Sequence, residues 1–361
     1  MDRPIIIISP FQFTLSRGIE NFTYSLSNQL TRKYNYRLII YTWNGKNSIN
    51  NQFINWDKNI TIRKVPYSRF YQKEIAQLFY YFWSIYDDPK AIICNFLWHG
   101  ENIIYNNKRD IMIFHNPLSQ IPDRYIYAEK YLSNTSKIVF DSNGNFSEFK
   151  TKYKGFHNCN IIYTGVDTSY FKYLRSKKND KYLKIISISA FEKRKGIQHL
   201  IKAMPILIYN IPEIRLKIIG SGPEKKYYHN LINELGIKNF VTIKSPVNDT
   251  KPYLLESDIY CLLSHGEGCP IGLLEAMACE LPVIVSDKSP FDEIINDNEG
   301  FQVDRNDKNS ILKAIIQLRH KKDREIMGTN ARLKILKKFT WEIVASKFID
   351  LIENRNLSNI N

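Results

Sequence analysis

The sequence has no paired cysteines and no long apolar run. Its five cysteines form no CxxC pair and no zinc-ligand spacing, which predicts reduced thiols instead of a disulfide or zinc scaffold. Residues 75–98, the longest candidate for a membrane span, are interrupted by charges and a proline, and no run reaches the roughly 18 apolar residues that cross a bilayer. The short run Ile5–Ile8 follows Asp2 and Pro4, which is typical of a first strand and not of a secretory signal. We therefore expect a cytoplasmic protein, with attachment at the inner membrane face left open.

Two nucleotide-binding motifs are also missing. The sequence contains no P-loop and no G-x-G-x-x-G after the first strand, which argues against an ATPase or a nicotinamide-dependent dehydrogenase. No histidine and carboxylate cluster has metal-ligand spacing, and Asp87 and Asp88 stand outside a D-x-D motif. We therefore predict no metal site.

Acidic residues are too few to balance the basic ones. Lysine and arginine number 51 against 36 aspartates and glutamates, which gives a net charge of +15 at pH 7. This balance predicts an anionic partner, namely nucleic acid, an anionic membrane face or a phosphorylated substrate. Part of the excess has an alternative origin in genome composition, because lysine is abundant beside asparagine and isoleucine. With 361 residues, 43% of them hydrophobic, the chain has enough material for about two folded domains.

Short β-branched runs alternate with amphipathic segments along the chain. Eleven such runs begin near residues 5, 38, 92, 111, 138, 161, 185, 216, 241, 259 and 282. Most are apolar on both faces, as in parallel strands covered by helices on two sides. The alternation predicts doubly wound α/β sheets, and about eleven strands suit two of them. A helix is expected after Gly196, with a disturbance at Pro205.

The polar stretch 173–181 is the best candidate for a domain boundary. It places a first Rossmann-like domain at 1–172, a second at 182–335, and a last helix within 340–361. In doubly wound sheets, ligands bind beyond the carboxyl ends of the strands. Functional residues are therefore expected directly after strands.

The most informative segment, 264–278, reads SHGEGCPIGLLEAMA and joins a strand to a helix. Its glycines allow close backbone approach to a ligand, and N–H groups at a helix start bind anions. Glu267 lies in the loop and Glu275 lies in the helix. Two carboxylates flanking a phosphate-binding helix end suit a nucleotide sugar, which has hydroxyls at both ends and a diphosphate between them. The residues expected to bind this donor are Gly268, Gly272, Leu273, Leu274 and Glu275.

This segment closely resembles the E-x7-E motif of retaining GT-B glycosyltransferases, particularly glycosyltransferase family 4. The resemblance implies two Rossmann-like domains facing a cleft, a donor bound by the C-terminal domain, and a last helix that crosses back to the first domain. It also implies that Glu267 contacts the hydroxyls of the transferred sugar and that Glu275 accepts hydrogen bonds from the ribose. Glu280 departs from the family pattern, which commonly has glycine there. A left-handed conformation at Glu280 would cost about 1 kcal/mol.

A second segment follows the strand near residue 185. The pair Lys195-Gly196 resembles the Lys-Gly pair of the family's diphosphate-binding segment. The arginine that precedes this pair in the family is missing, because Ser189-Ala190 occupies its place. We expect Arg194 or Lys193 to supply the second positive charge, which makes Lys195 and Arg194 candidate catalytic residues. A solvated basic loop is the alternative.

Three weaker segments agree with the same family. Gly18 opens a helix after the first strand, as in the family's Gly-Gly-x-Glu, although Arg17 replaces the first glycine. His115 ends a strand, like the family's active-site histidine near the donor sugar. Gly220 and Gly222 resemble a second glycine loop beside the nucleotide. Each also has a structural interpretation, as a turn glycine or a core histidine.

The resemblance implies retaining transfer of a hexose from a nucleoside diphosphate sugar, with UDP or GDP favoured, to a glycan or lipid-linked hydroxyl. No metal is required, because protein charges and the helix end stabilise the leaving diphosphate. Two alternatives remain open: another GT-B enzyme, such as an epimerase or phosphorylase, and a non-catalytic GT-B subunit. Nucleic acid is not the expected partner. The aromatic segment 78–83 and the basic residues Arg32, Lys33 and Arg37 predict an acceptor or membrane-facing surface, with a core helix as the alternative.

Overall fold

The chain folds into two compact units. The computed structural model describes residues 3–9, 18–43, 56–65, 72–95, 107–115, 135–173, 181–288 and 290–354. Unit 1 combines Met1–Gly165 with Trp341–Asn361, and unit 2 is Val166–Thr340. The polar stretch interpreted above as the linker overlaps residues 174–180, which lie outside the described residues, as do Arg17 and residues 355–361.

Unit 1 contains a seven-stranded parallel sheet with the order β3-β2-β1-β4-β5-β6-β7. Its strands are β1 Ile5–Ile8, β2 Leu38–Trp43, β3 Ile60–Val65, β4 Ala91–Cys94, β5 Asn107–Phe114, β6 Thr135–Phe140 and β7 Cys159–Ile161. Its first three described helices are α1 Gly18–Arg32, α2 Gln72–Asp87 and α3 Asn143–Lys152. The central strands β1 and β4 are buried along their whole length because both faces carry apolar side chains.

Unit 2 contains a six-stranded parallel sheet with the order β10-β9-β8-β11-β12-β13. Its strands are β8 Leu183–Ile188, β9 Ile214–Ile219, β10 Val241–Lys244, β11 Ile259–Leu262, β12 Val283–Ser286 and β13 Gly300–Val303. Its helices are α4 Ile197–Asn210, α5 Lys225–Glu234, α6 Lys251–Leu255, α7 Ile271–Ala278, α8 Phe291–Ile294, α9 Lys308–Gln317 and α10 Lys321–Lys338. The strand order reverses between β8 and β11, so the loops after these two strands meet at one edge of the sheet.

The last helix, α11 Trp341–Ile352, belongs to unit 1. It packs against α1 through Phe22, whose ring centroid lies 5.5 Å from that of Trp341 and 5.9 Å from that of Phe348. The chain therefore returns to its first unit after completing the second, as the family resemblance implies.

Two strands, β3 and β13, were not predicted from the sequence. Each is the outermost strand of its sheet. In β3 only the last residue is buried, and polar side chains alternate with apolar ones. A search for runs that are apolar on both faces misses such edge strands because one face and one edge meet solvent.

The disturbance expected at Pro205 does not end the helix. Helix α4 runs without a break from Ile197 to Asn210 with Pro205 inside it. The proline ring is exposed, whereas Ile201, Met204 and Leu207 are fully buried against the sheet. Burial of this apolar face holds the helix together where one backbone hydrogen bond is lost.

Glu280 adopts the left-handed conformation that the sequence analysis considered, with φ of 61°. The turn after α7 is closed by hydrogen bonds from the Glu280 N–H to the Met277 carbonyl and from the Leu281 N–H to the Ala276 carbonyl, both 3.1 Å long. This is the helix-ending turn in which glycine is preferred, because a side chain there is strained.

We expect Glu280→Gly to raise the free energy of unfolding by about 1 kcal/mol, because glycine removes the strain of a left-handed side chain. The ion pair lost with Arg332 spans 3.8 Å and is partly exposed, so its loss costs little. Urea unfolding of wild type and variant measures the change. Glu280→Ala is the control, since it loses the same ion pair and keeps the strain. Equal stabilisation by alanine and glycine would contradict this explanation.

Candidate active site

The loops after β8 and β11 bring Lys195 and Glu267 together in unit 2. Lys195 lies in the short 3-10 turn Lys193–Lys195, and its ammonium donates to both carboxylate oxygens of Glu267 at 2.7 Å. The side chains are only 15% and 8% exposed. Such a shielded pair is held much more firmly than a surface ion pair. Two predicted catalytic residues, 72 positions apart, are thus in direct contact.

Arg194 approaches the same carboxylate. Its Nη1 lies 3.7 Å from Glu267 Oε2, while its Nε donates to Glu192 at 2.7 Å. The guanidinium is about one third exposed and therefore accessible from solvent. Of the two residues proposed to replace the missing arginine, Arg194 is the one for which the structure gives a contact with Glu267.

A glycine makes the contact between these loops possible. Gly196 has φ of 73°, and a Cβ atom there would lie 1.8 Å from the carbonyl oxygen of Leu263. The two loops are joined by the backbone hydrogen bond from the His265 N–H to the Arg194 carbonyl, at 2.7 Å. Any larger residue at 196 would push the turn that carries Lys195 away from Glu267.

Helix α7 begins at Ile271, shortly after Glu267 in the chain. Pro270 precedes its first residue, and no side-chain hydrogen bond caps the helix start. A Cβ atom at Gly272 would lie 2.9 Å from the Tyr260 hydroxyl, so this glycine allows the helix start to sit close to β11. Gly268 is buried in the loop that leads to it. The start of α7 offers the partial positive charge that favours an anion.

Leu273 and Leu274 occupy the interior. Both side chains are fully buried, and both N–H groups donate to the Pro270 carbonyl, at 3.0 and 3.3 Å. They pack the helix against the sheet. Their place in the donor-binding set remains a prediction carried by the family resemblance.

Glu275 projects from the next turn of α7 and is 9% exposed. Burial raises the pKa of its carboxyl from 4.5 to about 7, and the charge of Asp249 acts in the same direction. The hydroxyl of Thr250 donates to Glu275 Oε2 at 2.8 Å, which lowers the pKa of the carboxyl by a smaller amount. The Glu275 carboxyl therefore already accepts a hydrogen bond from one hydroxyl, that of Thr250.

The segment that supplies Thr250 was missed by the sequence analysis. Asp249, next to it, accepts a 2.6 Å hydrogen bond from the Tyr170 hydroxyl, which raises the pKa of that tyrosine to about 12. The Lys251 ammonium lies 4.5 Å from the centre of the Tyr170 ring. No motif in the sequence marks these residues, and only the contact of Thr250 with Glu275 connects them with the candidate site.

The second glycine loop lies against the end of β8. A Cβ atom at Gly220 would lie 2.0 Å from the Ser189 carbonyl oxygen, and one at Gly222 would lie 2.5 Å from that of Phe191. The Phe191 N–H donates to the Ser221 carbonyl at 2.7 Å. Both glycines are therefore needed for close packing beside the segment that leads to Lys195. Within the described part of the chain, the buried Ser189 hydroxyl has no hydrogen-bond partner.

The two remaining predicted site residues lie in unit 1. Gly18 is the exposed first residue of α1. His115 follows β5 and is shielded, with its Nε2 3.3 Å from Asn95 Oδ1 and its Nδ1 3.9 Å from Asp141 Oδ2. Burial lowers the pKa of His115 to about 4, so its imidazole is neutral at neutral pH. A neutral ring can donate one hydrogen bond without adding charge.

Helix α2 is buried on one side and exposed on the other, so the core-helix interpretation holds for part of the aromatic segment and the acceptor or membrane-facing surface remains a prediction. Tyr80 is fully buried in the core, whereas Phe82, Ile85 and Tyr86 are 63%, 61% and 82% exposed. Tyr67, Phe70 and Tyr71, which the sequence analysis grouped with them, lie outside the described residues. None of the described helices is long and apolar enough to span a membrane.

Metal-binding chemistry is not evident in these residues. Within the described ranges, no three histidine, cysteine or carboxylate side chains cluster as metal ligands. All five cysteines are free thiols, three of them buried.

Comparison with known structures identifies the fold as GT-B. Sucrose-phosphate synthase from Thermosynechococcus elongatus superposes with a TM-score of 0.83 at 18% identity, covering 98% of each chain. A glycosyltransferase from Rickettsia africae gives 0.82 at 18% identity, covering 99% of this chain and 100% of that one. Anabaena HepE in complex with UDP and glucose gives 0.78 at 14% identity, covering 97% and 99%. The fold class expected from the sequence is thereby confirmed.

The match to a family model lies within unit 2. Residues 173–334 match the family model described as glycosyl transferases group 1. An uncharacterized glycosyltransferase of Haemophilus influenzae is 34% identical over 133 residues, 36% of this chain and 38% of the relative. The N-acetyl-alpha-D-glucosaminyl L-malate synthase of Bacillus anthracis is 30% identical over 168 residues, 45% and 43% of the two chains.

A longer match is with the GDP-mannose-dependent alpha-(1-6)-phosphatidylinositol monomannoside mannosyltransferase of Mycobacterium tuberculosis. It is 24% identical over 253 residues, 65% of this chain and 66% of the relative. The chain thus spans less than two thirds of the length of each of these curated relatives. Together with the fold, the matches support a GT-B glycosyltransferase.

Proposed function

We propose that this protein is a retaining glycosyltransferase of family 4 that transfers a hexose from a nucleoside diphosphate sugar to an acceptor hydroxyl. The observation that carries the proposal is the paired Lys195 and Glu267 beside the start of α7, with Glu275 buried one turn later. Lys195 and the start of α7 would attract the negative charge of a diphosphate. The carboxylates of Glu267 and Glu275 would accept hydrogen bonds from the sugar and ribose hydroxyls on either side of it. The relatives support UDP or GDP, since their names include GDP-mannose and UDP-Gal as donors.

The proposed mechanism uses fixed charge. As the bond from the sugar C1 to the diphosphate oxygen breaks, negative charge grows on the leaving diphosphate. Lys195, Arg194 and the start of α7 would stabilise that charge. Glu267 would orient the sugar hydroxyls. The role of His115 as a neutral hydrogen-bond donor is carried by the family resemblance alone. The acceptor oxygen bonds to C1 on the face that the diphosphate leaves, and its proton passes to the leaving phosphate oxygen, so the anomeric configuration is retained.

Glu267→Gln tests the site directly. We expect kcat to fall at least 100-fold, because the amide is a poorer acceptor for the sugar hydroxyls. The affinity for free UDP or GDP is expected to stay equal or to rise, because Lys195 loses the carboxylate that neutralises it. Steady-state kinetics and calorimetric titration measure the two quantities. A variant with wild-type kcat would disprove the assignment of Glu267.

Transfer is expected to continue in EDTA, because the proposed charge stabilisation comes from side chains and the helix start. The measurement is the transfer rate in excess EDTA and again after readdition of magnesium. Complete loss of activity that magnesium restores would contradict a mechanism based on Lys195 and Arg194.

The donor can be found by a thermal-shift screen of UDP, GDP, ADP and TDP sugars. Selective binding stabilises the protein by about 2.7 kcal/mol at a hundredfold excess over Kd. Transfer or hydrolysis of the selected donor then separates an enzyme from the second candidate, a non-catalytic GT-B subunit. That candidate is favoured by exposed Ala190, which stands where the family has arginine. NMR of the product's anomeric centre tests retention.

The acceptor is proposed to be a glycan or a lipid-linked sugar, with the enzyme in the cytoplasm and peripheral at the inner membrane face. The exposed Phe82 and Tyr86 on α2 support a surface for a lipid-linked acceptor, because aromatic rings favour membrane interfaces. Phe82→Ser with Tyr86→Ser is expected to raise KM for a lipid-linked acceptor and to leave donor affinity unchanged. An unchanged KM would remove α2 from the acceptor surface.

A further inference from the structure

Buried polar side chains line the carboxyl end of the sheet in unit 1. Four of them directly follow the neighbouring strands β1, β4, β5 and β6, namely Ser9, Asn95, His115 and Asp141. Ser9 and Asn95 are fully buried, Asp141 is 3% exposed, and the His115 side chain is 7% exposed. Polar groups that are shielded this well depend on hydrogen bonds within the protein, so the direction of each bond can be worked out.

The hydroxyl of Thr23 on α1 sets the first direction. It lies 2.9 Å from the Ile19 carbonyl oxygen, 2.7 Å from the Asn95 amide and 3.3 Å from Ser9 Oγ. The Ile19 carbonyl can only accept, so the single hydroxyl hydrogen of Thr23 is donated to it. Thr23 therefore accepts from Asn95 Nδ2. With the amide reversed, the oxygens of Thr23 and Ile19 would face each other at 2.9 Å without a hydrogen between them.

The other end of the Asn95 amide fixes the hydrogen of His115. Asn95 Oδ1, an acceptor, lies 3.3 Å from His115 Nε2, so Nε2 carries a hydrogen and donates it. Burial lowers the pKa of His115 to about 4, so the ring is neutral at neutral pH and has only this one N–H. Nδ1 keeps its lone pair and lies 3.9 Å from Asp141 Oδ2, which is too far for a hydrogen bond.

We propose that Asn95 and Thr23 are positioning residues that keep the ring hydrogen of His115 on Nε2 and leave Nδ1 as an acceptor. Toward a ligand, His115 then accepts a hydrogen bond from a hydroxyl and cannot donate one, which departs from the donor role considered above. The placement of the hydrogen rests on contacts within unit 1 alone. Its use in transfer rests on the proposed function, in which the hydroxyl belongs to a sugar.

NMR of the full chain with nitrogen-15 histidine tests the placement directly, because protonated and unprotonated ring nitrogens have well-separated resonances. The signals of His115 are identified by their loss in His115→Gln. From about pH 5.5 to 8, where the ring is neutral, we expect a protonated Nε2 and an unprotonated Nδ1. A hydrogen on Nδ1, or an exchanging mixture of the two forms, would overturn the proposal.

Variants show whether Asn95 and Thr23 cause this pattern, since Nε2 can carry the hydrogen without them. Asn95→Leu removes the acceptor, and Thr23→Val removes the hydroxyl that orients Asn95. Each is expected to give averaged nitrogen signals from a mixture of the two neutral forms, whereas Thr23→Ser keeps the hydroxyl and should keep the wild-type pattern. The signals of the other histidines show whether each variant is folded.

Asn28→Leu is the matched control. Asn28 is another shielded asparagine of unit 1, and its amide donates to the Tyr24 carbonyl at 3.1 Å. We expect the wild-type pattern at His115 in this variant. The wild-type pattern in Asn95→Leu, or an equal change in the control, would overturn the proposal.

Asn95→Asp connects the placement of the hydrogen with turnover. A carboxylate at position 95 stabilises the imidazolium, so the pKa of His115 is expected to rise by about 1 to 3 pH units. Among the described residues, Asp141 is the titratable group that faces the ring, and it is present in wild type and variant alike. Below the raised pKa, kcat relative to wild type should fall about tenfold per pH unit, because an imidazolium has no lone pair to offer a hydroxyl.

The NMR titration and the pH profile of kcat at saturating donor measure the two effects of Asn95→Asp. A raised pKa without any response of kcat would overturn the acceptor role of His115 in transfer. Absence of turnover in the wild-type protein would contradict the proposed function instead, and the nitrogen spectra would still decide where the hydrogen of His115 lies.

Discussion

Lys195→Ala is expected to lower kcat about 100-fold or more at saturating donor, because the leaving diphosphate loses its nearest proposed fixed cation. Arg194→Ala is expected to have an effect of similar size if the guanidinium beside Glu267 turns toward the diphosphate. The measurement is kcat for both variants by product formation. Lys202→Ala, an exposed lysine on α4, is the matched control and should retain wild-type turnover.

The family arginine missing at position 190 allows a rescue experiment. Restoring it as Ala190→Arg should partly rescue Arg194→Ala, since a planar guanidinium can bind the diphosphate with two hydrogen bonds. If Arg194→Ala changes little while Lys195→Ala is severe, Lys195 acts alone. If neither substitution affects turnover, the proposed roles of Lys195 and Arg194 are wrong. If the nucleotide sugar binds and the wild-type protein shows no turnover, the non-catalytic interpretation gains.

Loss of Lys195 is also expected to destabilise the fold, and a double variant separates this effect from the loss of turnover. Glu267 is only 8% exposed, so Lys195→Ala leaves a shielded carboxylate whose remaining cation, Arg194, lies 3.7 Å away. Removing one partner of a shielded pair costs more than removing both. Lys195→Ala with Glu267→Gln should therefore unfold at a higher temperature than Lys195→Ala alone, while kcat remains low. A kcat restored by the second substitution would show that the first had damaged folding only.

Glu275→Gln is expected to weaken donor binding and to remove a pH dependence. The pKa of Glu275 is raised to about 7 by burial, so the free protein holds this carboxyl largely neutral below pH 7. A ribose hydroxyl prefers the ionised acceptor, so wild-type affinity should fall by up to about tenfold per pH unit below 7 and level off above it. Calorimetric Kd values between pH 5.5 and 8.5 measure this. The ratio of variant to wild-type Kd cancels titration of the diphosphate itself, and a ratio independent of pH would disprove the role of Glu275.

The raised pKa of the Glu275 carboxyl also predicts that its ionisation lowers the free energy of unfolding. Its pKa is higher in the folded chain than its ordinary value of 4.5, so its contribution to stability is present below pH 4.5 and is lost as pH rises through 7. The loss amounts to about 3 kcal/mol. Glu275→Gln, which cannot ionise, should therefore melt above wild type at pH 8 and close to it near pH 4.5. A variant less stable at pH 8 would mean that the hydrogen bond from Thr250 outweighs burial.

The sequence by itself determined the α/β class, eleven strands and the order of the elements. Buried parallel strands such as β1 and β11 are apolar on both faces, and that pattern is local and readable. The positions of the candidate site residues could also be predicted, because parallel strands carry their ligand-binding loops at one end and those loops follow the strands directly. Glu267, Glu275 and Lys195 could therefore be chosen from sequence position and family resemblance.

Only the tertiary structure decided which side chains meet. Lys195 and Glu267 form a bidentate pair because Gly196 lets two distant loops approach, and no local pattern encodes that distance. Thr250 reaches Glu275 for the same reason, across 25 positions of sequence. The structure also decided which face of α10 is buried, namely the one with Gly328, Ala331 and Ile335. Contacts of this kind depend on how the elements pack, and packing is a property of the whole fold.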